Sequence, residues 1–414
     1  DRCAVLSCFP PPNIIAFLPA SLPRPRQFVM ADLGHKDWPR QYPEAARAIA
    51  QADIVLHAAA AMVFFPDEQD PARSAAHMRA VNVNGTGGVA QHLHSHATLI
   101  YISSTEAMGP CSHCSEAAPL HPTFQYGASK RDAENAVRKA PGSHVILRLT
   151  GLMGPGDDFS LFQLMLAVNL GLLPFTVTES TPNKGAGSAK GDALIMYTHV
   201  HDAVQAVRLA MLHAAQHAGC SVSDQMQLRS PPGRARGFEK QSIISLAIPS
   251  SSAHPRSALN HTFIVAPRDA LSVSGWITAI ASELHHTRPA PFFSLPLGVA
   301  EVAMALLDPV LNAFVREPFL FKQDMVQCMV ENRTYDSTKA QELLGFNPLY
   351  SCQEALHDSI SWYLKQVCTF SALHDSLPSP SSLLTPPLTP FTHNPFFVCL
   401  FVCLFVCLFV CLFV

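Results

Sequence analysis

Residues 97–103, Ala97-Thr-Leu-Ile-Tyr-Ile-Ser103, form a short apolar run that is typical of a strand buried in a parallel sheet. Similar runs stand on either side of it, at Asp53-Ile-Val-Leu-His57 and at His144-Val-Ile-Leu-Arg-Leu149. Segments with a helical pattern separate the three runs. This alternation predicts an α/β fold, with a doubly wound parallel sheet and helices on both faces.

The same alternation continues toward both ends of the chain. Further strands are predicted at residues 27–31 and 261–265. The predicted helices cover residues 38–52, 75–96, 129–139 and 273–284. Ligands of such sheets bind beyond the carboxyl ends of the strands, so residues that follow the strands are candidates for the site.

Composition excludes several classes of protein. The chain has 414 residues, of which 48% are hydrophobic and 14% charged, with a net charge of −3. These values argue against a disordered chain and against a nucleic-acid partner recognised by charge. The cysteines outside the C-terminal repeat are scattered, which favours free thiols in a reducing compartment. Cys111 and Cys114 have no second ligand pair nearby, so no metal site is expected.

Three segments depart from the alternating pattern. Residues 219–260 are rich in Ser and Pro and are predicted to form a surface insertion, and residues 369–395 to form a Ser/Pro-rich linker. Residues 396–414 are 19 uncharged apolar residues, built mostly from a repeated Phe-Val-Cys-Leu unit. As a helix this tail would span about 28 Å, close to a bilayer core. It is therefore either a membrane anchor or translated simple-repeat DNA.

The segment Tyr126-Gly-Ala-Ser-Lys130 carries the main chemical signal. A tyrosine and a lysine four residues apart share one face of a helix. An ammonium beside a phenol is expected to lower the phenol pKa from about 10 toward neutrality. Such a phenol can exchange a proton with an alcohol or ketone.

Residues at other strand ends extend this candidate site. Ser104 follows the central strand and could hydrogen-bond the same substrate oxygen, whereas Ser103 should point to the other side. The small residues Ala58 and Ala59 after His57 would let a dinucleotide approach the backbone. Asp32 could accept a hydrogen bond from an adenine amino group.

Together these residues resemble the extended short-chain dehydrogenase/reductase superfamily, and most closely its 3β-hydroxysteroid dehydrogenase/isomerase branch. The resemblance runs along most of residues 27–366. The motifs that carry it are Asp32-Leu33, Asp53-Ile-Val-Leu-His-Ala-Ala59, Asn82-Val-Asn-Gly-Thr86, Ser103-Ser-Thr-Glu-Ala-Met-Gly-Pro110, Tyr126-Gly-Ala-Ser-Lys130, Arg148-Leu-Thr-Gly-Leu-Met-Gly-Pro-Gly-Asp157, Tyr197-Thr-His-Val-His-Asp202 and Tyr335-Asp-Ser-Thr-Lys-Ala-Gln-Glu-Leu-Leu-Gly-Phe-Asn-Pro-Leu-Tyr350.

The resemblance implies NAD or NADP as cofactor and a role for each matching residue. Tyr126 would be the acid/base, Lys130 would lower its pKa and hold the nicotinamide ribose, and Ser104 would orient the substrate oxygen. The cofactor would also contact a wider set of residues at the strand ends. These are Asp32, Leu33, His57, Ala58, Ala59, Asn82 and Leu149.

The resemblance implies oxidation of a 3β-hydroxysteroid or sterol to the 3-ketone. Alternatives are a sterol-4-carboxylate 3-dehydrogenase, another NAD(P)-dependent epimerase or reductase, or a catalytically inactive Rossmann-fold binding protein. A hydrophobic, sterol-like substrate suits the apolar stretch Phe159, Leu161, Phe162, Leu164, Met165 and Leu166. We expect the protein on the cytoplasmic side, at the endoplasmic reticulum membrane if the tail is an anchor. Membrane association and oligomerisation stay open.

One departure from the family is large. No glycine precedes Gly34, so the first strand of the Rossmann-like sheet and its Gly-rich turn are missing. That turn cradles the pyrophosphate of a dinucleotide. Since residue 1 is not Met, we expect an N-terminally truncated sequence whose full product is a complete enzyme.

The positions of these motifs predict how the chain divides into domains. Residues 1–157, joined by 195–215 and 261–284, would form the truncated dinucleotide-binding domain. Residues 158–194 and 285–366 would form a smaller, mostly helical substrate-binding region.

Overall fold

A computed structural model describes residues 4–7, 27–62, 71–157, 160–169, 173, 175–179, 190–219, 257–284, 293–314 and 323–375. Most of the predicted insertion and the whole apolar tail lie outside these ranges. The predicted linker begins inside a helix that continues to Asp375, so its start at residue 369 is too early.

The strands and helices follow the predicted alternation. The strands are β1 Ala4–Ser7, β2 Gln27–Met30, β3 Ile54–His57, β4 Thr98–Ser104, β5 Cys111–Cys114, β6 Ser143–Leu149, β7 Gly151–Met153, β8 Phe175–Glu179, β9 Lys190–Gly191, β10 Leu194–Ile195, β11 Tyr197–His199, β12 His261–Val265, β13 Leu271–Ser272, β14 Phe293–Pro296 and β15 Arg333–Tyr335. The α-helices are α1 Trp38–Gln41, α2 Pro43–Ala50, α3 Pro71–Met78, α4 Thr86–His92, α5 Gln125–Val137, α6 Ser160–Asn169, α7 Val200–His217, α8 Val273–Glu283, α9 Leu297–Phe314, α10 Gln323–Cys328 and α11 Cys352–Asp375.

Four parallel strands form the main sheet, in the order β12-β6-β4-β3. Successive residues of β4 point to opposite faces of this sheet. Leu99 and Tyr101 pack against helices α2, α4 and α5, whereas Ile100 packs against α7 on the other face. Helices therefore cover both faces, and the predicted doubly wound α/β fold is confirmed.

Strands β1 and β2 form a separate parallel pair. Ala31 and Leu33, which follow β2, are buried in the same core as α2 and α4. Within the described residues, β3 pairs only with β4, and its Leu56 side chain is 44% exposed. In the usual strand order of such sheets the first strand lies in the middle. The edge of β3 is thus unpaired at the position where the resemblance expects that strand.

A second core lies outside the main sheet and is mostly helical. It contains buried residues of α6, α8, α9 and α11, including Leu161, Trp276 and Met304. Helix α8 therefore packs with the predicted substrate-binding region, although residues 273–284 were expected to belong to the first domain. Conversely, Leu344 and Phe346 pack against α7 in the core of the main sheet.

Several helix boundaries differ from the prediction for local reasons. Pro43 divides the predicted helix 38–52 into α1 and α2, because its ring cannot donate an N–H and Tyr42 before it is not helical. The helix predicted to reach residue 96 ends at His92. Helix α5 begins at Gln125, earlier than predicted, so Tyr126 lies in its first turn.

Two further findings concern the cysteines and the membrane. Cys111 and Cys114 are joined by a disulfide with their Cα atoms 5.9 Å apart, so the expectation of free thiols is wrong at this pair. The thiols of Cys328 and Cys352 are buried. Among the residues that the structure describes, no helix combines the length and apolarity needed to cross a membrane.

A buried ion pair joins helix α5 to strand β6 of the sheet. The Arg148 guanidinium on β6 donates to both carboxylate oxygens of Glu134 on α5, at 2.8 and 2.7 Å. Ser103 on β4 donates to the same carboxylate at 2.7 Å, and Arg138 at 2.8 Å. Burial alone would raise the pKa of Glu134, but these partners outweigh burial and lower it.

Removing one partner of this pair should be costly. We expect Glu134→Leu to lower the free energy of unfolding by about 3–5 kcal/mol, because it leaves the buried Arg148 charge without its carboxylate. The measurement is urea unfolding at neutral pH. Asp132→Asn on the same helix is the control, since Asp132 pairs with Arg131 near the surface and should change stability by less than about 1 kcal/mol. Equal effects of the two substitutions would contradict this account.

Candidate active site

Tyr126 and Lys130 lie one turn apart on α5, beside the carboxyl end of β4. The Lys130 side chain is buried, and its Nζ donates to the Ile102 carbonyl oxygen at 2.9 Å. The same Nζ lies 5.8 Å from the centre of the Tyr126 ring and 5.1 Å from the centre of the Tyr101 ring. The predicted proximity of the phenol and the ammonium is therefore found.

The predicted effect on the phenol is not found in the protein alone. Burial raises the pKa of Tyr126, and the Glu106 carboxylate raises it further. Burial also lowers the pKa of Lys130 to about 8, although Glu134 opposes this change. Tyr126 is therefore protonated at neutral pH, because burial and the Glu106 charge both disfavour the charged phenolate.

Ser104 occupies the predicted place at the end of β4. Its Oγ accepts a hydrogen bond from the Glu106 N–H at 3.1 Å, which caps the short 3₁₀ turn Thr105–Ala107. This turn packs directly against the first turn of α5, where a Cβ on Gly127 would lie 2.1 Å from the Glu106 carbonyl oxygen. Ser103 points to the other face, as predicted, and bonds to Glu134.

Two predicted cofactor residues are buried inside the protein. Asn82 accepts from the Ala61 N–H at 2.7 Å and donates to the Ala61 carbonyl and to Ser129 Oγ, at 2.8 and 2.9 Å. Its amide thus ties the chain after β3 to helix α5. The His57 ring contacts Thr86 Oγ1 at 2.8 Å and is only 4% exposed. Both side chains are buried and bonded to protein partners, and their roles at a cofactor stay predictions.

The other predicted cofactor residues differ in their exposure. Asp32 is exposed, and one of its carboxylate oxygens accepts from the Gly34 N–H at 2.8 Å. Leu33 is buried in the core, and its expected place beside an adenine stays a prediction. Ala58 is exposed and Ala59 partly exposed after β3. Leu149 ends β6 directly opposite Ser104 in the sheet register.

These placements allow a test of whether a dinucleotide fits. Small side chains after β3, an exposed carboxylate after β2, and the Tyr126–Lys130 pair all lie at strand ends, where such a cofactor binds. The described part of the chain holds no Gly-rich strand–turn–helix to cradle a pyrophosphate. The described residues therefore suit the adenosine and the nicotinamide of a dinucleotide, but not the pyrophosphate between them.

An ion pair that sequence reasoning missed stands next to Ser104 and Tyr126. The Arg333 guanidinium on β15 lies 2.9 Å from both carboxylate oxygens of Glu106. Glu106 belongs to a motif that the sequence makes conspicuous. Its partner is 227 residues away, and no local pattern reveals that pairing.

The structure describes only part of the apolar stretch that was expected to hold the substrate. Leu161 is buried in the second core, and Leu164 and Met165 pack against it. Phe159 and the side chains of Phe162 and Leu166 lie outside the described structure. These three described residues build the core of the second region.

A parallel sheet covered by helices on both faces defines the Rossmann-like class of folds. Residues 18–220 match the family described as the NAD dependent epimerase/dehydratase family. This match confirms the resemblance to extended short-chain dehydrogenases and reductases. The family is NAD-dependent, in agreement with the expected cofactor.

Among curated proteins, the chain is similar to two Arabidopsis thaliana isoforms named 3beta-hydroxysteroid-dehydrogenase/decarboxylase. It is 22% identical to isoform 2 and 23% identical to isoform 1, each over 351 residues and 81% of this chain. The aligned region spans 51% of isoform 2 and 66% of isoform 1, so the chain matches about half to two thirds of their length.

Solved structures share the fold at low sequence identity. The Bacillus cereus UDP-glucuronic acid 4-epimerase in complex with NAD has 16% identity and a TM-score of 0.50, covering 82% of this chain and 81% of that one. The Thermotoga maritima UDP-glucose 4-epimerase has 14% identity and a TM-score of 0.51, covering 88% and 91%. At these identities the likeness establishes the fold alone.

The close approach at Gly127 gives a direct test of the site's geometry. We expect Gly127→Ala to destabilise the protein by about 1–3 kcal/mol, because its Cβ would overlap the Glu106 backbone. Gly87→Ala on α4 is the matched control, since that Cβ would be 4.0 Å from its nearest neighbour. Alanine is also the better helix former, so the control should keep or gain stability in urea unfolding. A harmless Gly127→Ala would mean that the turn and helix are not in contact.

Burial of His57 predicts a pH dependence of stability. Burial, together with the Lys130 charge, lowers its pKa from 6.5 to about 3. Between these values the unfolded chain binds a proton that the folded protein does not, so stability falls as the pH falls. Urea unfolding should show wild type losing up to about 1.4 kcal/mol per pH unit more than His57→Gln across this window. Above about pH 7 the difference between the two proteins should be constant, and parallel curves below that pH would refute the burial of a neutral ring.

Proposed function

We propose that this protein oxidises the 3β-hydroxyl group of a sterol or steroid to the 3-ketone, with NAD or NADP as the oxidant. The observation that carries this proposal is the Tyr126–Lys130 pair beside Ser104 at the carboxyl end of β4. A phenol, an ammonium and a hydroxyl at one strand end provide both the proton acceptor and the hydrogen bond that alcohol oxidation needs.

Each side chain of the proposed site has its own role in the reaction. The Tyr126 oxygen takes the hydroxyl proton as the C–O bond becomes a carbonyl, and Ser104 Oγ donates a hydrogen bond to that oxygen. Lys130, with a pKa of about 8, holds a positive charge near the phenol that favours its ionised form. A bound nicotinamide supplies the acceptor for the hydride that leaves carbon 3.

The raised pKa of Tyr126 fixes the direction of the pH effect. A phenol that is protonated at rest must lose its proton before it can accept one from an alcohol. Alcohol oxidation should therefore accelerate as the pH rises, whereas the reverse reduction should be favoured at lower pH.

Other residues would hold the cofactor without taking part in proton transfer. The exposed Asp32 carboxylate would accept a hydrogen bond from the adenosine, and Ala58 and Ala59 would leave room for a close approach to the backbone. Lys130 would also donate to the nicotinamide ribose. Asn82 would act indirectly, because it fixes the chain after β3 against α5.

The names of the Arabidopsis relatives support the substrate class. Both relatives are named as 3β-hydroxysteroid dehydrogenases that also decarboxylate. Oxidation at carbon 3 places a ketone next to carbon 4, and a carboxylate there can leave as carbon dioxide because the ketone accepts its electron pair as an enolate. A sterol-4-carboxylate is therefore the second candidate substrate, and its oxidation needs the same three side chains.

The test uses the full purified chain, NAD or NADP, and a panel of 3β-hydroxysterols with and without a 4-carboxylate. We expect reduced cofactor together with a sterol product that has lost two hydrogens, or those hydrogens and carbon dioxide. Tyr126→Phe should lower kcat by about 10²–10⁴-fold, because the proton acceptor is gone. Ser104→Ala should lower kcat by roughly tenfold, the value of about one hydrogen bond.

Matched variants separate chemistry from folding. Tyr42→Phe and Ser95→Ala remove the same groups from residues outside α5 and the end of β4, and should leave kcat unchanged. Full activity in Tyr126→Phe would contradict the mechanism. A wild-type protein that reduces no cofactor with any of these sterols would contradict the proposed function.

A further inference from the structure

We infer that Arg333 is a positioning residue of this site: one guanidinium holds together the turn that carries Ser104 and the segment that leads into Tyr126, and it balances the Glu106 charge between them. The inference deepens the proposed function and rests on it for its catalytic consequence. Its structural part stands on contacts alone.

The first set of contacts joins Arg333 to the turn after β4. Nη1 of Arg333 lies 2.9 Å from each carboxylate oxygen of Glu106, and both side chains are largely buried. The Glu106 N–H in turn donates to Ser104 Oγ. The guanidinium therefore fixes the residue whose backbone orients the Ser104 hydroxyl.

The second set joins the same guanidinium to the entry of α5. Nη2 of Arg333 lies 3.4 Å from Thr123 Oγ1, and the guanidinium carbon lies 5.6 Å from the centre of the Phe124 ring. Phe124 is the residue before α5 and stands two positions before Tyr126. Arg333 thus contacts residues that are two positions from Ser104 and two from Tyr126.

The position of Arg333 is itself well fixed. Strand β15 is buried along its length and pairs with β10 on one side and β5 on the other. Nη2 also contacts Cys328 Sγ on α10 at 3.5 Å and Glu331 at 3.5 Å. A strand from the C-terminal part of the chain therefore provides a rigid support for both site segments.

The charge balance gives Arg333 a second effect. Glu106 raises the pKa of Tyr126, after burial, and also raises the pKa of Tyr335 and Tyr197. The Glu106 carboxylate is paired with the Arg333 guanidinium, which contacts both of its oxygens. Loss of Arg333 would leave an uncompensated carboxylate among these phenols, which favours their protonated forms. The titratable and charged groups around Glu106 and Tyr126 are Arg333 and Tyr335 on β15, Glu331 before it, Cys328 on α10, Tyr197 on β11, Tyr101 on β4 and Lys130 on α5.

The first experiment measures hydrogen exchange of the full chain without added cofactor. We compare wild type with Arg333→Gln, Arg333→Lys, Glu106→Gln and the double variant Glu106→Gln/Arg333→Gln. Arg79→Gln is the matched control, because Arg79 is exposed and only distantly paired with Asp132. In Arg333→Gln, peptides covering residues 101–110 and 122–130 should exchange about tenfold faster, whereas the β6 peptide 143–149 should not change.

The second experiment measures kcat, KM and the pH profile with the sterol that wild type oxidises. Arg333→Gln should lower kcat by about tenfold with little change in sterol KM, because a positioning residue acts through Ser104 and Tyr126 and not by binding the sterol. The midpoint at which kcat/KM rises with pH should move to higher pH by about one unit. The double variant should bring this midpoint back, since the Glu106 charge is gone, but should keep the fast exchange. Arg333→Lys should keep the wild-type midpoint, because it retains the charge.

The outcomes separate the inference from the proposed function. Unchanged exchange in Arg333→Gln and Arg333→Lys, with normal melting, would overturn the positioning role whatever the activity. An unmoved pH midpoint in Arg333→Gln would overturn the charge-balancing role. If Arg333→Gln fails to fold, hydrogen exchange of Arg333→Lys tests the positioning role. The pH midpoint of Glu106→Gln then tests the charge-balancing role. If wild type oxidises no sterol but exchange changes as expected, the proposed function fails and the structural role of Arg333 holds.

Discussion

Helix α5 packs against the end of strand β4, and the site depends on that contact. Three residues along one face of the helix form the contact. Gly127 leaves room for the Glu106 backbone, Lys130 donates to the Ile102 carbonyl, and Glu134 accepts from Ser103. Their spacing of three and four residues follows the helical period, so a single face carries them all. Together these contacts hold Tyr126 beside the end of β4.

The same contact buries two charged side chains of α5, Lys130 and Glu134. The Glu134 carboxylate is satisfied by Arg148, Arg138 and Ser103, whereas Lys130 has a single backbone oxygen as its recorded hydrogen-bond partner. Burial therefore lowers the pKa of Lys130 to about 8, near working pH, and raises that of Tyr126. The pKa values of both groups are governed by desolvation first and by the neighbouring charges second.

Local pattern was sufficient for much of the fold and for the main pair of the site. Strands such as β4 and β6 are short apolar runs, and Tyr126 and Lys130 are four residues apart, so both can be inferred from neighbours in sequence. The start of α5 at Gln125 was not inferred, because the helical pattern becomes clear only from Ser129. The Glu106–Arg333 pair joins residues from distant parts of the chain, and the pKa of Tyr126 depends on burial that only the folded chain creates. Likewise, Asn82 and His57 match a motif, but the hydrogen bonds of their side chains to Ala61, Ser129 and Thr86 are visible only in the folded chain.

The most direct test of the central claim follows a single hydrogen atom. The full chain is incubated with oxidised cofactor and a 3β-hydroxysterol that carries deuterium on carbon 3, and both products are analysed by mass spectrometry. If the Tyr126 site oxidises the alcohol, the reduced cofactor carries one deuterium and the 3-ketone carries none. Deuterium retained on the sterol, with none on the cofactor, would contradict the account.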